Sequence, residues 1–133
     1  MKVIVNLSSV VTSFDGTSDT INHHANGMLK ATGSTLRLSF PLSGMMQTLV
    51  YSADEPHLLE LIRGGDRLVF DTSLPETEGR YKTEYIVLFP TINTHKLCCD
   101  LTEKGGNLSL NYTLSLEGEV QHFCMEIEVT PAP

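Results

Sequence analysis

The chain has 133 residues, of which 41% are hydrophobic and 19% charged, which suits one folded domain with its own core and excludes disorder. With 9 Lys and Arg against 16 Asp and Glu the net charge is −7, a field that repels phosphate backbones and anionic lipid and so argues against nucleic acid as a partner. The N-terminus turns polar at Asn6, too early for a signal-peptide core, and no apolar run approaches the roughly 20 residues of a membrane span. The expectation is a cytoplasmic protein with no membrane partner, folded as a single domain over residues 1–133.

Taken in order, Val3, Val5 and Leu7 give a first strand its inward set, and Asp15-Gly16 signals a turn. A second strand from about Asp19 carries Ile21, Ala25 and Leu29 on one parity; Thr32-Gly33-Ser34 then turns into Thr35 to Leu42, where Leu36, Leu38, Phe40 and Leu42 alternate with Arg37 and Ser39. Period two with one polar face is the pattern of a half-buried strand. The stretch Ser52 to Gly64 fits two states: Asp54 could cap a short helix with Pro56 in its first turn and Gly64 at its end, or the same residues could be a strand. Tyr85-Ile86-Val87-Leu88-Phe89 is apolar on both parities, as in a strand covered on both faces or one at an oligomer contact.

The clearest strand runs from Asn107 to Glu117, where Leu108, Leu110, Tyr112, Leu114 and Leu116 alternate strictly with polar residues, and Phe123, Met125, Ile127 and Val129 repeat the pattern. Gly64-Gly65-Asp66, Lys104-Gly105-Gly106-Asn107 and Glu117-Gly118-Glu119 mark short turns between strands, and Thr130 to Pro133 is expected to fray. The fold class is therefore all-β, an antiparallel meander of about eight to ten strands, and closure into a barrel is favoured because it removes exposed edges.

Specific stretches add a family. Gly79-Arg80-Tyr81-Lys82-Thr83-Glu84-Tyr85, Thr94 with Leu97, and Lys104 through Leu114 resemble the YwiB-like family of small bacterial proteins of unknown function, with a looser match through Leu36 to Phe40, Leu61-Ile62-Arg63-Gly64 and Leu68-Val69-Phe70. Where that family carries a Gly after the tyrosine matching Tyr85, this chain has Ile86. The resemblance implies a calycin-like, lipocalin-related barrel and a strand over His57 to Arg63. It brings no reaction with it.

The chemistry-bearing residues are scattered. Cys98 and Cys99 are adjacent and must face opposite sides of a strand, so at most one shares a side with Cys124; buried free thiols in a reducing compartment are expected. Asn6, Asn107 and Asn111 open glycosylation triplets, a chemistry that needs secretion. His95 and Cys98 have a ligand-like gap, yet residues three apart on a strand diverge unless a bulge intervenes, so no metal and no cofactor is expected. No nucleophile-elbow, phosphate-loop or dinucleotide motif is present.

Polar side chains on inward parity are the better handle, because a barrel of about eight strands can hold one small ligand. His23 shares parity with Ile21 and Ala25, Arg63 with Leu59 and Leu61, Tyr85 with Val87, His95 with Leu97 and Cys99, and Tyr112 with Leu110 and Leu114. Arg80 joins them through the family pattern alone, at the mouth. The leading expectation is a barrel that binds a small, partly apolar ligand through these six residues, with no catalytic residue assigned. Two others stay open: an interaction protein forming a homodimer through an outer strip at Ile86 and Leu88, and an enzyme using His95 with a nearby carboxylate.

Overall fold

The computed structural model describes residues 1–133, and the alternation above becomes strands throughout. These are β1 (Lys2–Thr12), β2 (Ser18–Thr32), β3 (Thr35–Leu42), β4 (Met45–Ser52), β5 (Leu58–Arg63), β6 (Asp66–Asp71), β7 (Thr77–Glu78), β8 (Tyr81–Lys82), β9 (Val87–Leu88), β10 (Thr91–Cys99), β11 (Gly106–Leu116) and β12 (Glu119–Pro131). Ten of them form one antiparallel sheet in the order β6-β5-β4-β3-β2-β1-β12-β11-β10-β7, and β8 and β9 pair as a separate flap. Nearly every neighbour is the next strand in the chain; the exceptions are β1 against β12 and β10 against β7. The result is a meander coiled on itself.

The sheet's two outer strands, β6 and β7, meet at a narrow seam. Arg67 and Arg80 exchange backbone hydrogen bonds of 2.9 and 2.7 Å across it. The Thr77 hydroxyl donates to Val69 O across the same gap. At Gly79 a Cβ would run into the Leu68 side chain, so only a residue without one lets the strands come this close. The barrel is thereby nearly closed, which satisfies the edge groups that an open sheet would expose.

A second gap opens beside β2. Its ladder to β3 runs only from Met28 to Thr32, since β2 presses its Gly27 backbone against Ser39 and Phe40 and Pro41 has no amide to donate. His23 Nε2 donates to Pro41 O at 2.8 Å instead, a side chain standing in for a missing ladder rung.

Inward residues fill the end of the barrel nearest the chain termini. Phe40, Phe70, Leu38, Leu59, Leu108 and Ile127 are each no more than 2% exposed, and Val3, Val5 and Val129 pack with them. Burying one such side chain is worth about 1.5–3 kcal/mol, so this end carries most of the hydrophobic stabilisation.

Four expectations need correcting or narrowing. The C-terminal tail does not fray: β12 runs to Pro131 against β1, and the Ala132 amide donates to Lys2 O at 3.0 Å. Residues 54–57 form a turn and the strand runs Leu58–Arg63, so no helix forms and the strand implied over His57 to Arg63 begins one residue later. In the 85–89 stretch only Val87 and Leu88 are in a strand, and Tyr85, Ile86 and Phe89 are 87%, 55% and 55% exposed. It is not covered on both faces, because the chain leaves the wall after Gly79 and turns at Thr83, whose Oγ1 accepts the amides of Tyr85 and Ile86. The three cysteines are free, but Cys98 and Cys124 are exposed and only Cys99 is half-buried. Cys98 and Cys124 share the outer face with β11 between them, two strand spacings apart and so beyond disulfide reach. No helix of the chain is long and apolar enough to cross a membrane.

Candidate functional site

The far end of the barrel, where the β1–β2, β3–β4, β5–β6 and β11–β12 turns and the flap lie, is not filled. A cavity of about 430 Å³ opens there, and 12 of its 19 lining residues are hydrophobic, a size and character common for small-molecule sites. Below it lies a void of about 40 Å³ that shares Leu7, Leu42, Gln47, Leu61 and Met125 with the cavity and reaches Phe40 and Phe70. The apolar space thus narrows toward the packed end.

One wall is aromatic. Tyr112 and Phe123, opposite one another on β11 and β12, stack with ring centroids 4.7 Å apart and planes 4° from parallel, and Phe70 leans on Tyr112 at 4.6 Å. Such pairs add to the burial of their rings. Tyr112 is 4% exposed, and desolvation pushes its hydroxyl pKa up. That hydroxyl makes no hydrogen bond to the protein, yet it is not among the sealed, unpartnered polar atoms, which are Thr94 Oγ1 and Asn111 Oδ1. It therefore borders the open space.

Two more buried polar side chains share that space. Ser9 and Gln47 are each 3% exposed and line the cavity; Gln47 donates to Met45 O at a long 3.3 Å, and the Ser9 hydroxyl has no partner. Buried polar groups are normally paired, so an apolar cavity holding three of them is chemically unfinished.

At the opening stands Arg63, the last residue of β5. Its Nη2 lies 3.5 Å from Asp66 Oδ2, and its guanidinium sits over the Tyr81 ring, 5.4 Å from the centroid, a cation–π arrangement. The other Asp66 oxygen, Oδ1, accepts the Lys82 amide at 2.7 Å and so ties the flap to the β5–β6 turn.

Of the six residues expected to bind a ligand, five by inward parity and Arg80 at the mouth, the structure brings Arg63 and Tyr112 to this cavity. The other four lie elsewhere. His23 bridges to Pro41 at the side of β2, and Arg80 reaches back to Gly65 O on the outer rim. Tyr85 sits exposed at the flap tip rather than inward, because the flap has left the wall. His95 points outward, since the β10–β11 register shifts between Thr94 and Lys96 and a bulge reverses parity. Its partners are Thr113 Oγ1 at 2.7 Å and the stacked His122 ring, not a carboxylate.

Ser9, Gln47, Asp66 and Tyr81 were missed as site residues. Ser9 lies between inward Leu7 and Val11, and Gln47 two residues before inward Leu49, so the same parity rule could have found them. Tyr81 carried no such signal.

Outside the barrel, a shallower depression of about 560 Å³ lies on the wall of β2, β1, β12 and β11, lined by Asn6, Ser8, Asn22, His24, Glu126 and neighbours. Its side chains are paired, His24 with Asn6 and Glu126 with neighbouring Ser109, as on a solvated sheet face. No three of the chain's His, Cys, Asp and Glu side chains gather where they could hold a metal ion.

Comparison with known proteins agrees with this architecture. The crystal structure of YwiB from Bacillus subtilis superposes with a TM-score of 0.80 at 19% identity, covering 96% of this chain and 90% of that one; at such identity the likeness speaks for the fold. No curated protein matches the chain. The model of the domain of unknown function DUF1934 matches residues 5–127, nearly the whole barrel, and the chain belongs to that family.

Proposed function

We propose that this chain binds a small, partly apolar ligand in the open half of its barrel, in the manner of a calycin-like binding protein. The observation that carries this reading is the mixture at the cavity wall: an apolar, aromatic surface interrupted by Ser9, Gln47 and Tyr112, whose hydrogen-bonding capacity the protein leaves largely unused. A cavity meant only to be packed would be lined by apolar side chains throughout.

Titration with the neutral fluorophore Nile red tests it. The expected result is one probe per chain, with binding abolished in Leu114→Trp, which fills the cavity from β11, and retained in Ser8→Ala on the outer wall. Absence of binding to the unaltered protein, or equal binding by the filled variant, overturns the reading. Native mass spectrometry of protein purified from its own cells would give the mass of any retained ligand.

A second reading has its own support. Ile86, Tyr85 and Phe89 expose apolar surface on the flap, which favours a homodimer contact there, with Leu88 half-buried behind it. Mass in dilute solution decides it: a dimer that Ile86→Glu dissociates upholds the contact, and a monomer unaffected by the change rejects it.

A further inference from the structure

We infer that the ligand is a singly charged anionic amphiphile, its oxyanion held by Arg63 at the opening and its apolar body lying along Leu68, Tyr112 and Phe123. This inference rests on the binding function proposed above and names the class of ligand.

The guanidinium of Arg63 offers five donors in a planar fork. Only one is engaged by a side chain, and that weakly, at 3.5 Å from Asp66. Asp66 meets the fork through Oδ2 alone, its Oδ1 being taken by the Lys82 amide, so it engages the guanidinium at a single point. The Tyr81 ring holds the guanidinium plane, which leaves its edge for a partner. A planar oxyanion matches two of those donors at once.

The β5–β6 side of the opening carries the same sign. Of the 9 cationic side chains in an acidic chain, Arg63, Arg67, Arg80 and Lys82 lie in the β5–β6 turn and the adjoining flap. Arg67 is paired with Glu60 at 3.0 Å. Arg80 donates to Gly65 O and so stands over the same turn. Against them stand Glu60, Asp66 and Glu84, which leaves this side of the opening one positive charge in excess, while Glu117 and Glu119 lie at the β11–β12 turn across the rim. One negative charge on the ligand balances that excess.

A neutral ligand would cover the guanidinium without satisfying it, and a cationic one would add repulsion, both unfavourable in an apolar setting. Beneath the opening the space is apolar down to Phe40 and Phe70. Charge at the rim above an apolar shaft is the polarity of an amphiphile.

The experiment compares three probes of one tail, decanoate, 1-decanol and decyltrimethylammonium, each displacing Nile red at about pH 8, where the carboxylate is ionised. Decanoate is expected to bind at least about tenfold more tightly than decanol, and the cation most weakly. Arg63→Gln is expected to remove the advantage of decanoate while leaving decanol unchanged, and Arg63→Lys to restore part of it, with denaturation midpoints confirming that both fold. If decanol equals decanoate on the unaltered protein, the anionic class is wrong and the cavity reading stands. If neither probe nor Nile red binds, both fall together.

Discussion

The two ends of the barrel obey one strand pattern and use it differently. At the end near the termini the inward positions are Val3, Val5, Leu38, Leu59, Phe70 and Ile127, each at most 2% exposed. At the other end the same parity carries Ser9, Gln47, Arg63 and Tyr112 beside Leu114 and Phe123, around open space. Alternation decides which side chains point in; side-chain chemistry and volume decide whether the inside is full. A barrel can therefore divide stability and recognition between its ends with no domain boundary.

The sharpest way to break this contrast is to truncate both halves. Phe70→Ala in the packed end is expected to lower stability by about 3–5 kcal/mol, whereas Leu114→Ala beside the cavity should cost about 1 kcal/mol, since its neighbour on one side is already empty space. Equal shifts in urea midpoint would mean the ends do not differ. At the seam, Gly79→Val is expected to cost about 1–3 kcal/mol through overpacking against Leu68, with faster hydrogen exchange at the Arg67 and Arg80 amides.

A smaller effect comes with alkali. Burial raises the pKa of Tyr112, and more modestly that of Tyr51, so the folded protein keeps protons that the unfolded chain releases above about pH 10. The unfolded state then binds fewer protons, and stability falls as pH rises. This contribution is fully present below about pH 10, and Tyr112→Phe should flatten the loss above it. The smallest test concerns thiols: exposed Cys98 and Cys124 should react with a thiol reagent ahead of Cys99, whose half-buried setting pushes its pKa up. Equal rates at all three would contradict the inward placement of Cys99.

The strand pattern was legible wherever alternation was unbroken. The strand around Tyr112 spans Gly106 to Leu116, and the inward placement of Arg63 and Tyr112 followed from parity alone. Parity failed at His95 because a single bulge between Thr94 and Lys96 inverts it, and a bulge leaves no mark in composition. It failed at Tyr85 because the flap departs from the wall, a tertiary event invisible in five apolar residues. The stacking of Arg63 on Tyr81 joins two turns that are neighbours only once the seam has formed. Half of the site was thus readable as local rhythm; the rest depends on how the sheet curls.

That curl also sets the order in which the chain can protect itself. β1 pairs with β2 through a short hairpin, but its other edge waits for β12, about a hundred residues further along. At a synthesis rate of roughly 5–20 residues per second, an edge carrying Val3, Val5 and Leu7 stays unpaired for on the order of ten seconds. During biosynthesis this is the segment most open to pairing with another nascent chain, and a chaperone that shields it would protect a barrel whose finished form shows no trace of the hazard.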